Sequence, residues 1–315
     1  AVGNTPPTVS ISAPSTNGNT VTYTVSYDGA SGTTVTLSAN DITLNKTGSA
    51  NGTVSVSGSG NTRTITILNL TGDGTLSFSI AAGTATDTAG NRAAAAGPSE
   101  MFVVDNTPPR VAISAPSGTF TRNGPISFTV SYTDENFLAS TLSADDVALE
   151  SSGTADGTVS VSGTGATRTV TISNITGEGT LDISLAAGTA SDTTGNLAPA
   201  AGPSASFTVD NTPPAVTISA PSSTLTKGGP VSYTVSYGDA NFQSSTLSAG
   251  DITLNKTGTA NGTVNVSGTG AMRTVAITGI TGDGTLGISL AAGTATDKAD
   301  NSTGPAGPSR TFIVD

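Results

Sequence analysis

The sequence contains no cysteine, no histidine and no tryptophan. Without His or Cys, neither a Ser-His-Asp nor a Cys-His nucleophile system can be assembled. The usual zinc sites are excluded on the same ground. Charge is also scarce: 10% of the 315 residues are charged, with 11 Lys and Arg against 22 Asp and Glu, a net −11. An acidic chain with dispersed bases lacks the electrostatic footprint of a nucleic-acid binder, so no nucleic-acid partner is expected. No apolar run approaches the roughly 20 residues that span a bilayer, so no direct membrane contact is expected either. The chain opens Ala1-Val2-Gly3 with no secretory signal, the pattern of a processed chain or a fragment. A long β-array without disulfides fits a bacterial or archaeal surface protein better than a small secreted animal domain.

What the sequence has is Gly, Ser, Thr, Ala and Val, a composition that favours pleated, half-buried strands over helices. It also repeats. Asn-Thr-Pro-Pro begins at Asn4, Asn106 and Asn211, spaced by 102 and 105 residues. Asp-x-x-Gly-Asn spans Asp87 to Asn91 and Asp192 to Asn196; the third copy, Asp297 to Asn301, has Asp300 in place of Gly. Gly-Pro-Ser recurs at Gly97, Gly202 and Gly307. These periods are those of whole domains, not solenoid units. They divide the chain into repeats at 1–105, 106–210 and 211–315. Each repeat ends in Val-Asp, and the last stops where another Asn-Thr-Pro-Pro is expected, which suggests a window from a longer array.

Within the second repeat, alternation predicts strand A at 110–115, B at 125–132, C from 146 to 150, then strands at 158–162, 167–175, 180–185 and 205–210. Gly-rich turns separate them, and no segment carries a helical stripe. Seven short strands in about 100 residues predict an all-β, immunoglobulin-like sandwich, present three times in a linear array. The linker prolines, Pro108-Pro109 and Pro213-Pro214, restrict the joints. A stiff, rod-like array is therefore expected, with neighbouring repeats as the principal partners and other copies, in a filament, as further ones.

In such a sandwich the linker, the B–C loop and the F–G loop share one end. For the second repeat this gathers Asp105, Asp134, Glu135, Asn136, Asp145, Asp146, Asp192 and Asn196; for the third, Asp210, Asp239, Asn241, Asp251, Asp297 and Asn301. The first retains Asp28, Asp41, Asp87 and Asn91 but has Gly3 and Gly29 at two of the acidic positions, which predicts a weaker or absent site unless a preceding repeat supplies ligands. Gathered carboxylates repel unless a cation intervenes, and oxygen-only donors suit Ca²⁺. The competing reading is turn chemistry, because Asp and Asn bond their own backbone. Elsewhere, Asp73, Glu178 and Asp283 read as E–F turn residues. Arg63, Arg168 and Arg273 read as solvated or strand-pairing charges. Tyr27, Tyr132 and Tyr237 read as packing residues. Phe137 and Phe242 are the candidate aromatics for a binding face. No paired carboxylates fall in a predicted cleft, and an enzyme is not expected.

Repeats that end in Val-Asp, restart with Asn-Thr-Pro-Pro and carry Ala-x-Asp-x-x-Gly-Asn resemble the bacterial immunoglobulin-like repeats of large surface adhesins. The resemblance covers the whole chain. It implies an extender region between an anchored end and a ligand-binding tip. It also implies Ca²⁺ at the joints, with Asp105, Asp134, Asp192, Asp210, Asp239 and Asp297 as ligands. A filament subunit and a carbohydrate- or protein-binding module are the alternative functions.

Overall fold

A computed structural model of the chain describes residues 5–29 and 32–315. Gly3 therefore lies outside the described residues. The first repeat holds β1 (Thr8–Ile11), β2 (Ser15–Asn17), β3 (Thr20–Asp28), β4 (Thr34–Val35), β5 (Ile42–Lys46), β6 (Asn51–Ser57), β7 (Thr62–Thr71), β8 (Gly74–Ile80), β9 (Ala85–Thr86) and β10 (Phe102–Val104). The second holds β11 (Arg110–Ile113), β12 (Phe120–Thr121), β13 (Ile126–Thr133), β14 (Phe137–Ser140), β15 (Val147–Ser151), β16 (Asp156–Ser162), β17 (Thr167–Thr176), β18 (Gly179–Leu185), β19 (Ala190–Asp192) and β20 (Phe207–Val209). The third holds β21 (Ala215–Ile218), β22 (Leu225–Thr226), β23 (Val231–Gly238), β24 (Phe242–Ser245), β25 (Ile252–Lys256), β26 (Asn261–Ser267), β27 (Met272–Thr281), β28 (Gly284–Leu290), β29 (Ala295–Asp297) and β30 (Phe312–Val314). Among the described residues no helix is long and apolar enough to cross a membrane; the helical pieces are short 3₁₀ turns such as Ala144–Asp146.

Strand order identifies the architecture. One sheet runs β11-β13-β17-β16, which is A-B-E-D; the other contains β20-β18-β15, which is G-F-C. The first and third repeats follow the same orders. This is the strand distribution of an immunoglobulin-like sandwich. The core follows from alternation. On β13, Ile126, Phe128, Val130 and Tyr132 are buried, and so are Leu181, Ile183 and Leu185 on β18. In the third repeat Val231, Tyr233, Val235 and Tyr237 pack with Leu286, Ile288, Leu290 and Phe312. Each such side chain contributes roughly 1.5–3 kcal/mol by leaving water, which makes a core without disulfides adequate.

Two findings go beyond the seven expected strands. A short strand before B (β12, β22) crosses to pair in parallel with strand G (β20, β30). A second small ribbon extends the B–C and F–G segments; in the third repeat Phe242 lies opposite Asp297 and Ser245 opposite Ala295. By compactness the chain divides into two units. One comprises Ala1–Pro109, Asp134–Leu138 and Ser191–Ala198; the other comprises Arg110–Thr133, Ala139–Ala190 and Pro199–Asp315.

The markers acquire physical meaning. Gly97, Gly202 and Gly307 adopt φ of 113°, 123° and 113°, and the Gly-Pro bonds that follow are cis. The Ser of Gly-Pro-Ser turns its hydroxyl to the F strand, where Ile288 N donates to Ser309 Oγ at 2.9 Å.

Candidate metal centre

The ribbon of β24 and β29 sets the geometry of the joint. Its tip carries Asp239, Asn241 and Asp297; its base leads into the 3₁₀ turn Ala249–Asp251. At the tip, carboxylate oxygens of Asp210, Asp239 and Asp297 lie within 4.8 Å of one another. Those of Asp105, Asp134 and Asp192 form the equivalent cluster, within the same limit. Each cluster has a buried member from the F–G loop, Asp192 and Asp297 being 1% and 0% exposed, while Asp105, Asp134 and Asp239 are half-buried.

Each cluster is built on turns. Asp192 Oδ1 accepts from the main-chain N–H groups of Thr194, Gly195 and Asn196 at 2.7–2.9 Å. Asp134 Oδ1 accepts from Asn136 N at 2.7 Å. Asp297 Oδ1 accepts from Ala299 N and Asn301 N, at 2.8 and 2.9 Å. Asp300, where the other copies have Gly, takes the left-handed conformation at φ 64° that Gly195 takes at 95°. Asp tolerates that region better than most residues, so the third turn keeps its form.

Carboxamides join the linker to both loops. Asn196 Nδ2 donates to Asp192 Oδ2 at 2.7 Å and to the Asp105 carbonyl at 2.9 Å. Asn136 Nδ2 donates to Asp105 Oδ2 at 2.8 Å. In the third repeat Asn301 Nδ2 reaches Asp297 Oδ2 at 2.8 Å and the Asp210 carbonyl at 2.7 Å, while Asn241 Nδ2 reaches Asp210 Oδ2 at 2.6 Å. Burial pushes the Asp192 carboxyl up, but the bonds from Asn196 and Thr194 outweigh it and hold the group below the ordinary carboxylate value.

Four of the expected carboxylates are not members of either cluster. Glu135 and Asp145 are exposed. Asp146 Oδ2 accepts from Ser143 N and Ser143 Oγ at 2.8 and 2.7 Å, and Asp251 Oδ2 accepts from Ser248 N and Ser248 Oγ at 2.7 Å each. The reason is the ribbon: it carries the B–C acids to its tip and leaves the acids before strand C at its base, where they cap a 3₁₀ turn. In the first repeat Asp41 caps Ser38 in the same way, and Asp87 holds Asn91 through Oδ2 at 2.8 Å. Gly29 supplies no carboxylate there, and among the described residues no third cluster forms.

Two further readings are corrected. The arginines are not solvated charges; of the two expectations the strand-pairing one fits, since Arg168 Nε donates to the Ser162 carbonyl of β16 and Arg273 Nε to the Ser267 carbonyl of β26, both at 3.4 Å. Arg168 is half-buried and donates to the carbonyls of Ser140 and Leu142 at 3.2 and 2.7 Å, and Arg273 does so to Ser245 and Leu247 at 3.2 and 2.8 Å. They buttress the base of the ribbon. Asp73 and Glu178 are more than turn residues: each accepts from the Asn and Thr that open the next linker. A signal was available, since both Asn-to-acid separations are 33 residues. Phe242 is half-buried and stacks on Tyr237 at 6.2 Å, so it serves its own repeat. Phe137 is half-buried also.

The ligand atoms that each cluster brings together are three carboxylate oxygens, with carboxamide N–H groups bonded to them and to the linker carbonyl. That chemistry fits a hard cation such as Ca²⁺ and not a thiophilic or imidazole-seeking metal.

No protein-family model matches the chain, and no curated protein matches it. Its overall structure is similar to that of FdeC, an Escherichia coli adhesin, at 17% identity and TM-score 0.41, over 98% of this chain and 96% of that one. The I9–I11 tandem of titin matches at 10% identity and TM-score 0.26, over 97% and 98%. The Yersinia pseudotuberculosis adhesin InvE matches at 14% identity and TM-score 0.23, over 65% and 58%. The neighbours are thus bacterial adhesins and tandem immunoglobulin-like chains. At these scores they carry no argument about function, and the sandwich assignment rests on strand order.

Proposed function

We propose that the chain is an extender segment of a secreted or bacterial cell-surface adhesin. It would consist of three immunoglobulin-like domains at 1–105, 106–210 and 211–315, with Ca²⁺ held at the joints. The observation that carries this reading is the joint itself, built twice from the same parts. A linker Asp is tied by its carbonyl to the F–G loop and by its carboxylate to the B–C loop. A carboxylate in the E–F turn holds the Asn-Thr that follows. The second proline of each linker is buried. Such a joint spends its polar groups on orientation and presents no catalytic constellation.

Asp105, Asp134 and Asp192 would hold one ion, and Asp210, Asp239 and Asp297 another. An ion at each place would neutralise the converging carboxylates and tie linker to loops more firmly than carboxamides alone. The test is ¹⁵N relaxation of the second and third repeats with millimolar Ca²⁺ and with chelator. One common rotational diffusion tensor that tightens on adding Ca²⁺ supports the reading. Independent tumbling in both conditions contradicts it.

A further inference from the structure

The first repeat lacks a strand that the other two have, and the gap has a defined shape. Ten residues separate Ala115 from Ile126, and ten separate Ala220 from Val231, but only seven separate Ala13 from Val21, the matching first buried residue of strand B. The longer segments cross to strand G. Thr208 N donates to the Thr119 carbonyl and Asp210 N to the Thr121 carbonyl, both at 2.9 Å. In the third repeat Ile313 N and Asp315 N donate to the carbonyls of Thr224 and Thr226, at 2.9 and 3.2 Å. The shorter segment cannot reach. It folds back on strand B as β2, with Thr16 opposite Val21 and Gly18 at φ 57° in the turn. Among the described residues the sheet of β10, β8 and β5 therefore has three strands where the matching sheets have four, and the outer edge of β10 is open. At the same register, the amides of Val103 and Asp105 lack the carbonyl partners that Thr208 and Asp210 have.

Along that edge lies a groove of about 500 Å³, bounded by Val103, Val104, Leu70 and Thr16 and by the loop residues Thr193 and Thr194. The corresponding space in the other unit is filled by Phe120, with Lys298 Nζ 5.1 Å from the ring centroid. Lys298 follows Asp297 as Thr193 follows Asp192, so both halves of that contact are changed together.

We infer that the open edge of β10 is a docking site for an extended segment of a partner polypeptide, added in parallel as a strand. An open edge is a template for such addition. The two filled copies specify what fits. They read Thr119-Phe120-Thr121-Arg122 and Thr224-Leu225-Thr226-Lys227: a large apolar residue between threonines, then a base, with Phe120 half-buried and Leu225 57% exposed, so the aromatic is the better occupant. In both filled copies the base is exposed, so it suits a chain of net charge −11 as a solvated charge and not as an ion-pair partner of the linker Asp. The occupant is thus an uncharged or basic Thr-apolar-Thr strand, not an acidic one.

The probe is a synthetic peptide with the sequence of residues 117–124, titrated into the ¹⁵N-labelled full chain. In the free chain the Val103 and Asp105 amides should exchange with solvent about tenfold or more faster than Thr208 and Asp210. The peptide should slow that exchange, while versions with Asp in place of the Phe or the Arg should bind about tenfold more weakly or worse. A second variant, with residues 15–20 replaced by the sequence of residues 117–125, supplies the strand internally and should abolish peptide binding. Protection of Val103 in the free dilute chain overturns the proposal. So does failure of the peptide to protect it at about millimolar concentration. Protection that grows with chain concentration alone also overturns it, because the occupant is then a second copy.

Discussion

The amide of Asn211 donates to Glu178 Oε1 at 2.8 Å, so a carboxylate in the E–F turn of one repeat holds the first residue of the next linker. The Thr212 hydroxyl adds a second bond to the same oxygen at 2.9 Å, and Asn211 Nδ2 a third to the Gly177 carbonyl at 2.6 Å. Glu178→Ala should therefore speed hydrogen exchange at Asn211 and Thr212 while leaving the core amides of β13 and β18 unchanged. The exposed setting limits the local loss to roughly 1 kcal/mol. Uniform acceleration throughout the repeat would count against a local clamp.

Asn301 is 4% exposed and donates at once to Asp297 and to the linker carbonyl of Asp210. Removing it leaves a buried carboxylate oxygen short of a partner. In chelator, Asn301→Ala should destabilise the third repeat by about 2–3 kcal/mol, read by denaturant unfolding. A change within experimental scatter would mean that the carboxamide does not hold the joint.

Strand pairing in the second repeat places Asp182 opposite Glu150, where the other repeats have Ser77 opposite Asn45 and Gly287 opposite Asn255. Asp182 Oδ1 is buried without a hydrogen bond, and burial, then the Glu150 charge, raises its carboxyl. A raised carboxyl favours the fold when protonated and opposes it when ionised. Asp182→Ser should therefore stabilise the second repeat at pH 7, by about 1 kcal/mol at most. The gain should shrink as pH falls into the acid range. Thermal melts at both pH values read the difference.

The capping carboxylates behave in the opposite sense. Bonds from the Ser248 hydroxyl, then the Ser248 amide, lower the Asp251 carboxyl. Its contribution is present above the unfolded value near 3.9 and is lost as pH falls through the lower folded value. Asp251→Asn should cost roughly 0.5 kcal/mol at pH 7, since solvent screens so open a group. Wild type and variant should converge in melting temperature once the pH falls below the lowered folded value.

Much of the fold was legible because its signals are local. Alternation along Ile126, Phe128, Val130 and Tyr132 marks strand B, and it places all four in the core. The ribbon escaped because Phe137-Leu138-Ala139-Ser140 has no alternation to read. The strand that crosses to G escaped because it is only two residues long in both copies. Of the candidate site, the acids of the linker, the B–C tip and the F–G turn were legible from loop order alone. Asp146 and Asp251 were misplaced because loop order does not show how far the ribbon lifts the tip from the base. The further carbonyl partners of the arginines were not legible, because a recurring base on a strand does not reveal the carbonyls beside it.

The most direct test of the account is thermal unfolding of the whole chain with millimolar Ca²⁺ and with chelator, alongside a variant carrying Asp134→Asn and Asp239→Asn. The account predicts that Ca²⁺ raises the melting temperature of the wild type, by the equivalent of about 2.7 kcal/mol per joint if the ion is at a hundred times its dissociation constant. The variant should lose most of that gain. Superimposable wild-type melts with and without Ca²⁺ would contradict it, and the clustered carboxylates would then be turn residues alone.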